Sequence, residues 1–163
     1  MNMRLRALFG FVAVALVLMA AAAVAQERPF QLALVTPIQI FSEDVSITGL
    51  RLNLLYGRNQ TVTGVDLGLV NHTKSGDSKG IQWGFVNLTD ANFTGLQDGW
   101  VNITKGDFEG LQWGFVNYVN HGNGLMIGFV NYAMSMKGLQ IGLVNFIRQG
   151  GQFPVFPIVN WSF

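Results

Sequence analysis

The chain has 163 residues, 50% of them hydrophobic and only 12% charged, with ten Lys or Arg against nine Asp or Glu. That length suits one domain, and so apolar a chain cannot stay disordered. With no basic excess there is no field to hold nucleic acid, and the absence of Cys with only two His excludes disulfides and thiol chemistry and argues against a zinc or His-based catalytic site.

Arg4 and Arg6 open the chain, and Ala7 to Ala25 follow without a charge, ending in Ala23-Val24-Ala25 before Gln26. A positive start, an apolar run and an A-x-A end make a secretory signal peptide. The rival reading is an uncleaved anchor, since the run is just long enough to span a bilayer. Cleavage predicts residues 1–25 as signal peptide and 26–163 as one β-repeat domain, with eight basic and nine acidic groups left. An exported chain without Cys suits a bacterial envelope: cell surface, outer membrane or periplasm.

The remainder is a single repeat. Gly80-Ile-Gln-Trp-Gly-Phe-Val-Asn87 returns at Gly95, Gly110, Gly124 and Gly138, with weaker copies at Gly49 and Gly64 and degenerate ones near Ala33 and Phe153. These starts predict about nine units of 14–16 residues, each a strand followed by a short polar return. No stretch has a sustained helical period, so an all-β protein is expected.

Two architectures accommodate such units. A single-domain parallel β-solenoid places every unit in the same environment, which suits returns of similar length and a motif without odd–even alternation. The alternative is a small antiparallel outer-membrane β-barrel, favoured by the terminal Trp161-Ser-Phe163 and by large aromatics on one strand face. Against the barrel, Asp98 falls on that same face, and nine strands is an odd number.

In the solenoid, Asn71, Asn87, Asn102, Asn117, Asn131, Asn145 and Asn160 form a structural amide ladder with neighbours about 4.8 Å apart. The Gly rows allow close backbone approach. Pro29, Pro37, Pro154 and Pro157 lie only in or beside the end units, where a missing N–H donor is tolerated.

Strict alternation puts the second, fourth and sixth residues of each unit on one face. Trp83, Phe85, Trp100, Trp113, Phe115 and Phe129 lie there, and core filling is the expectation for them. Turned outward, they would make an aromatic contact face for sugar, lipid or a partner protein. His72 and His121 read as solvated turn residues. Asp66 replaces the Gln of its unit, and Asp66 and Asp98 fall on opposite faces two units apart; Asp107 and Glu109 lie in a return. No pair of acids converges for acid–base work, and no phosphate loop or calcium repeat is present. The expectation is therefore no catalytic, metal or cofactor-binding residues and no cofactor. The Asn-x-Thr triplets at Asn71, Asn87 and Asn102 belong to the repeat, and Asn92-Phe-Thr94 stands apart from it.

Laid out this way, the chain resembles a family of uncharacterised bacterial surface-repeat proteins with tandem G-L-Q-x-G-[LFW]-V-N units behind a signal peptide. The resemblance covers about residues 33–163 and departs from the pattern at Asn53, Tyr56, Asp98 and Met126. It implies an exported envelope protein and carries no activity. The functional expectation is a non-catalytic structural or interaction protein presenting a rigid surface to an envelope partner, lipid or glycan, with membrane association left open. A small outer-membrane barrel is the alternative, and a polysaccharide-binding or polysaccharide-active solenoid a distant one.

Overall fold

The computed structural model describes residues 27–163; the expected signal peptide, residues 1–25, lies outside them. Ten strands and no helix occur among the described residues: β1 (Glu27–Val35), β2 (Ile38–Gln39), β3 (Ser46–Asn59), β4 (Val62–Thr73), β5 (Asp77–Thr89), β6 (Asn92–Asp98), β7 (Val101–Trp113), β8 (Val116–Ile127), β9 (Val130–Gln149) and β10 (Val155–Ser162). From β1 through β3 to β9, neighbouring strands pair in parallel. The result is a β-solenoid of about eight turns, not a barrel.

Register follows the repeat residue for residue. Gly49, Gly64, Gly80, Gly95, Gly110, Gly124 and Gly138 lie side by side in consecutive coils. These first-position glycines have φ between 124° and 145°. A Cβ on Gly95 would sit 2.0 Å from the Gly80 carbonyl oxygen, and one on Gly110 equally close to that of Gly95. Backbone conformation and contact with the preceding coil therefore both demand glycine.

The register corrects both ends of the repeat. The first coil starts at Pro29 rather than near Ala33, because Phe30 pairs with Leu50 and Gln31 with Arg51. Read from Pro29, the segment Pro-Phe-Gln-Leu-Ala-Leu-Val-Thr keeps Gln31 in the Gln column. The degenerate copy at Phe153 is not a ninth parallel coil: β10 runs back antiparallel along β9. Its first and fifth positions hold Phe153 and Pro157, which cannot supply the glycine corners, so the chain folds back over the last coil. At the other end, residues 36–45 loop out, and Gln31 bonds both the N–H and the carbonyl of Phe41.

The interior is mostly polar. Among the described residues, twenty-one buried side chains are polar or charged against ten that are apolar. The Asn column supplies a continuous relay, each Nδ2 donating to the next Oδ1: Asn71 to Asn87, Asn87 to Asn102, Asn102 to Asn117, Asn117 to Asn131 and Asn131 to Asn145, all at 2.8–2.9 Å. Each of these amides also donates to the fourth-position carbonyl of the next coil, as Asn87 does to Asp98 O and Asn102 to Trp113 O at 2.9 Å. Asn53 extends the relay at its start, 2.8 Å from Asn71 Oδ1. Asn160 lies outside it, because the reversed β10 leaves its amide on the Phe153 carbonyl.

The Gln column is a second, broken relay. Gln112 donates to Gln97, Gln97 to Gln82 and Gln82 to Asp66. At its head, Arg51 clamps Asp66 through Nε and Nη2 at 2.7 and 2.6 Å, with both side chains at most 2% exposed. Asn53 and Gln82 donate to the same carboxylate, so the buried charge pair is well satisfied. At Met126 the relay fails. A thioether has no N–H, and Gln112 Oε1 is buried without a partner. Beside the amide columns the interior also holds an apolar cluster of Phe93, Phe108, Val119, Met126, Ala133, Met136 and Ile147.

Asn102→Ala leaves Asn87 without its amide acceptor and Asn117 without its donor, and should cost about 2–3 kcal/mol in denaturant unfolding. Met126→Gln should restore the missing donor and raise stability by about 1 kcal/mol. A neutral result for the first, or a loss for the second, would contradict the relays.

Candidate functional site

The aromatic row does not fill the core. Trp83, Trp100 and Trp113 are 58%, 62% and 57% exposed, and Phe85, Phe115 and Phe129 also face outward. The reason lies in the fifth position. In coils starting at Gly95, Gly110 and Gly124 the chain bends at Gly99-Trp100, Gly114-Phe115 and Gly128-Phe129. Across that corner the in–out phase slips by one residue. The third position and the eighth and tenth all point inward, as Gln97, Asn102 and Thr104 do, while the second, fourth and sixth point out. Strict alternation would have put Asn102 and Trp100 on one side.

The same glycines make room for the amide relay. A Cβ on Gly114 would lie 2.1 Å from Gly99 O and 2.6 Å from Asn102 Nδ2. With no side chain at the fifth position, the outward fourth and sixth columns stand as two walls over a glycine floor. Grooves between these columns have volumes of about 690 Å³ at Leu32, Leu52 and Leu54, where Ala33 and Asn53 hold the fifth position, 380 Å³ at Trp83, Asp98 and Trp100, and 450 Å³ at Ile127, Ile141 and Leu143. One wall includes a four-ring stack, Phe85–Trp100–Phe115–Phe129, with centroids 4.2–6.2 Å apart and planes within 23°. Leu34 and Leu69 extend the same column toward the N-terminus and Leu143 extends it toward the C-terminus; all three are exposed.

Asp98 is the one charged residue in these outward columns. It stands in register between Trp83 and Trp113. Its backbone carbonyl accepts from Asn87, but its carboxylate meets no donor or cation among the described residues. Asp66, by contrast, is sealed inside with Arg51, so the two acids remain apart. Asp107 and Glu109 lie in strand β7, away from this groove.

The ladder residues Asn71, Asn87, Asn102, Asn117, Asn131, Asn145 and Asn160 are all buried, so they hold the face in place and meet no outside partner. That burial also removes Asn71, Asn87 and Asn102 as glycan acceptors. Asn92 binds Asp77 and the Asp107 N–H.

His72 is not a solvated turn residue. It belongs to β4, and its Nδ1 lies 2.7 Å from the Tyr56 hydroxyl while its Nε2 lies 2.7 Å from Asp90 Oδ2. Lys105 Nζ holds the other Asp90 oxygen at 2.7 Å. Since a carboxylate only accepts, Nε2 carries the proton and Nδ1 accepts from Tyr56. The four side chains come from successive coils and brace the flank of the stack. His121, exposed in β8, lies 2.8 Å from Ser135 Oγ. Among the described residues, no three of His, Cys, Asp and Glu are grouped to hold a metal ion.

Comparison of the chain with protein-family models, with curated proteins and with solved structures finds no match in any of the three.

Partial burial pushes the His72 pKa below the ordinary 6.5, against the opposing pull of Asp90. The folded chain therefore binds fewer protons than the unfolded one near that pH. The stability from neutral His72 is complete above 6.5 and declines as pH falls below it. Burial works to raise the Asp90 pKa, but Lys105 and His72 hold it below 3.8, so its contribution is lost only in stronger acid. Tm should fall as pH drops below 6.5, and His72→Gln should flatten that slope; an unchanged slope contradicts the assignment.

Proposed function

We propose that this is an exported, non-catalytic interaction protein of the bacterial envelope, akin to the surface-repeat proteins it resembles, and that its outward apolar face is its working surface. One observation carries this reading. The second, fourth and sixth columns hold Leu, Ile, Val, Phe and Trp in every parallel coil, with a single charge at Asp98. Eight rows at about 4.8 Å give a surface roughly 38 Å long. Contiguous apolar faces of that extent on a soluble chain mark a binding surface. The interior beneath it is filled separately, by the amide columns and a small apolar cluster.

Rigidity supports the same role. Each coil is pinned to the next along backbone and side-chain ladders, so the face is presented preformed, with little ordering cost on binding. Export is supported by the layout of residues 1–25, and the bound partner would be an envelope protein, lipid or glycan.

Fractionation tests the proposal. The protein should be recovered with the envelope, its mature chain beginning at Gln26. Leu143→Asp, at an exposed position of the face, should shift most of the protein into the soluble exported fraction while leaving Tm within about 1 °C. Retention of the variant at the wild-type level would overturn the assignment of the working surface.

A further inference from the structure

We infer that the notch around Asp98 is a binding site for an alkylammonium cation. The inference rests on the outward face being the binding surface, and adds to it the chemistry of one ligand group. In the fourth column, Trp83, Asp98 and Trp113 occupy successive coils. Coils repeat at about 4.8 Å, so the two indoles flank Asp98 roughly 9.6 Å apart along the axis. A carboxylate much shorter than an indole leaves a gap between them. Subtracting about one ring thickness leaves roughly 6 Å, the width of a trimethylammonium group. Across the Gly99 floor stands Trp100, stacked on Phe115, and these residues line one recess of about 380 Å³.

The electrostatics of the recess have one sign. Ring faces carry negative quadrupole density, and the carboxylate adds a full charge. No Lys or Arg lines the recess, and no hydroxyl or amide side chain does either. A sugar ring would find flat surfaces to stack on, but a single acceptor and none of the paired amide and hydroxyl groups that fix its hydroxyls. A second copy laid face to face would bring its own Asp98 near this one, close to the middle of a dry interface, with no cation to offset either charge. A weakly hydrated organic cation satisfies rings and carboxylate together.

The test follows tryptophan emission of the purified protein during titration with choline, with 3,3-dimethylbutan-1-ol as the uncharged carbon analogue and sodium chloride as the ionic-strength control. Choline should give a saturable change at about tenfold lower concentration than the analogue. Asp98→Asn should raise the choline half-saturation about tenfold, and Trp113→Ala about fivefold or more, with the far-ultraviolet circular dichroism and Tm of both variants unchanged. A parallel titration with n-butylammonium separates sources. A stronger response to choline identifies a methylated headgroup, a stronger response to n-butylammonium a lysine-like side chain, and both support the site. Equal binding of choline and its neutral analogue, unaltered binding by Asp98→Asn, no response to choline, or saturation by a cello-oligosaccharide instead would overturn it. Envelope retention is read separately by fractionation, so the face and the notch can fail independently.

Discussion

The structure depends on neighbouring coils lying parallel and in register, close enough for a glycine carbonyl to occupy the space where the next coil's Cβ would be. The spacing is set at the first-position glycines, whose φ values near 130° turn the corner and whose missing side chains admit the preceding backbone. Once coils repeat at that spacing, like residues fall into columns. An amide in a column then finds its own copy at hydrogen-bond distance. The Asn relay follows from the spacing and reinforces it, because each Nδ2 also ties down a carbonyl of the next coil.

Most folds of this size are held by apolar cores. Here the order is reversed: amides, a clamped Arg51–Asp66 pair and threonines fill much of the interior, and Trp, Phe and Leu face outward. Buried amides are costly when unpaired and close to neutral when every group is satisfied. A repeat is an economical way to satisfy them, since one good geometry is copied along the column. Where the copy fails, the cost is visible at Gln112, whose oxygen has no donor because Met126 follows it. The inversion also frees the large apolar residues from packing duty, leaving them available to a partner.

Much of this was legible in the residues. The unit, its period, the parallel stack and a column of amides all follow from five near-identical copies without odd–even alternation. The outward direction of the aromatic row did not. Period-two reasoning carries the phase straight through Gly99 and Gly114, whereas the chain bends there and slips by one. The doubled requirement for glycine, at the first and fifth positions, was the available signal that each unit contains two corners. Arg51 is not legible in the residues, because it is one substitution in a Gln column whose role emerges only beside Asp66 in the next coil. The start of the first coil is masked in the sequence because Pro29 stands where every later parallel coil has glycine. His72 looked like a turn residue because its partners Tyr56 and Asp90 are 16 and 18 residues away in sequence, yet one coil away in space.

The most direct test of this architecture is a set of pulsed dipolar distances between nitroxides along one exposed column. Thr48, Thr63, Lys79, Thr94, Glu109, Asn123 and Lys137 pair in sequence through successive coils, and the chain has no native Cys to interfere. Labels on Thr48→Cys and Lys137→Cys should lie about 29 Å apart, and labels on Thr48→Cys and Glu109→Cys about 19 Å, a growth of about 4.8 Å per repeat. Distances that fail to increase with the number of repeats between the labels would contradict the parallel stack, and with it the outward face and the relays beneath.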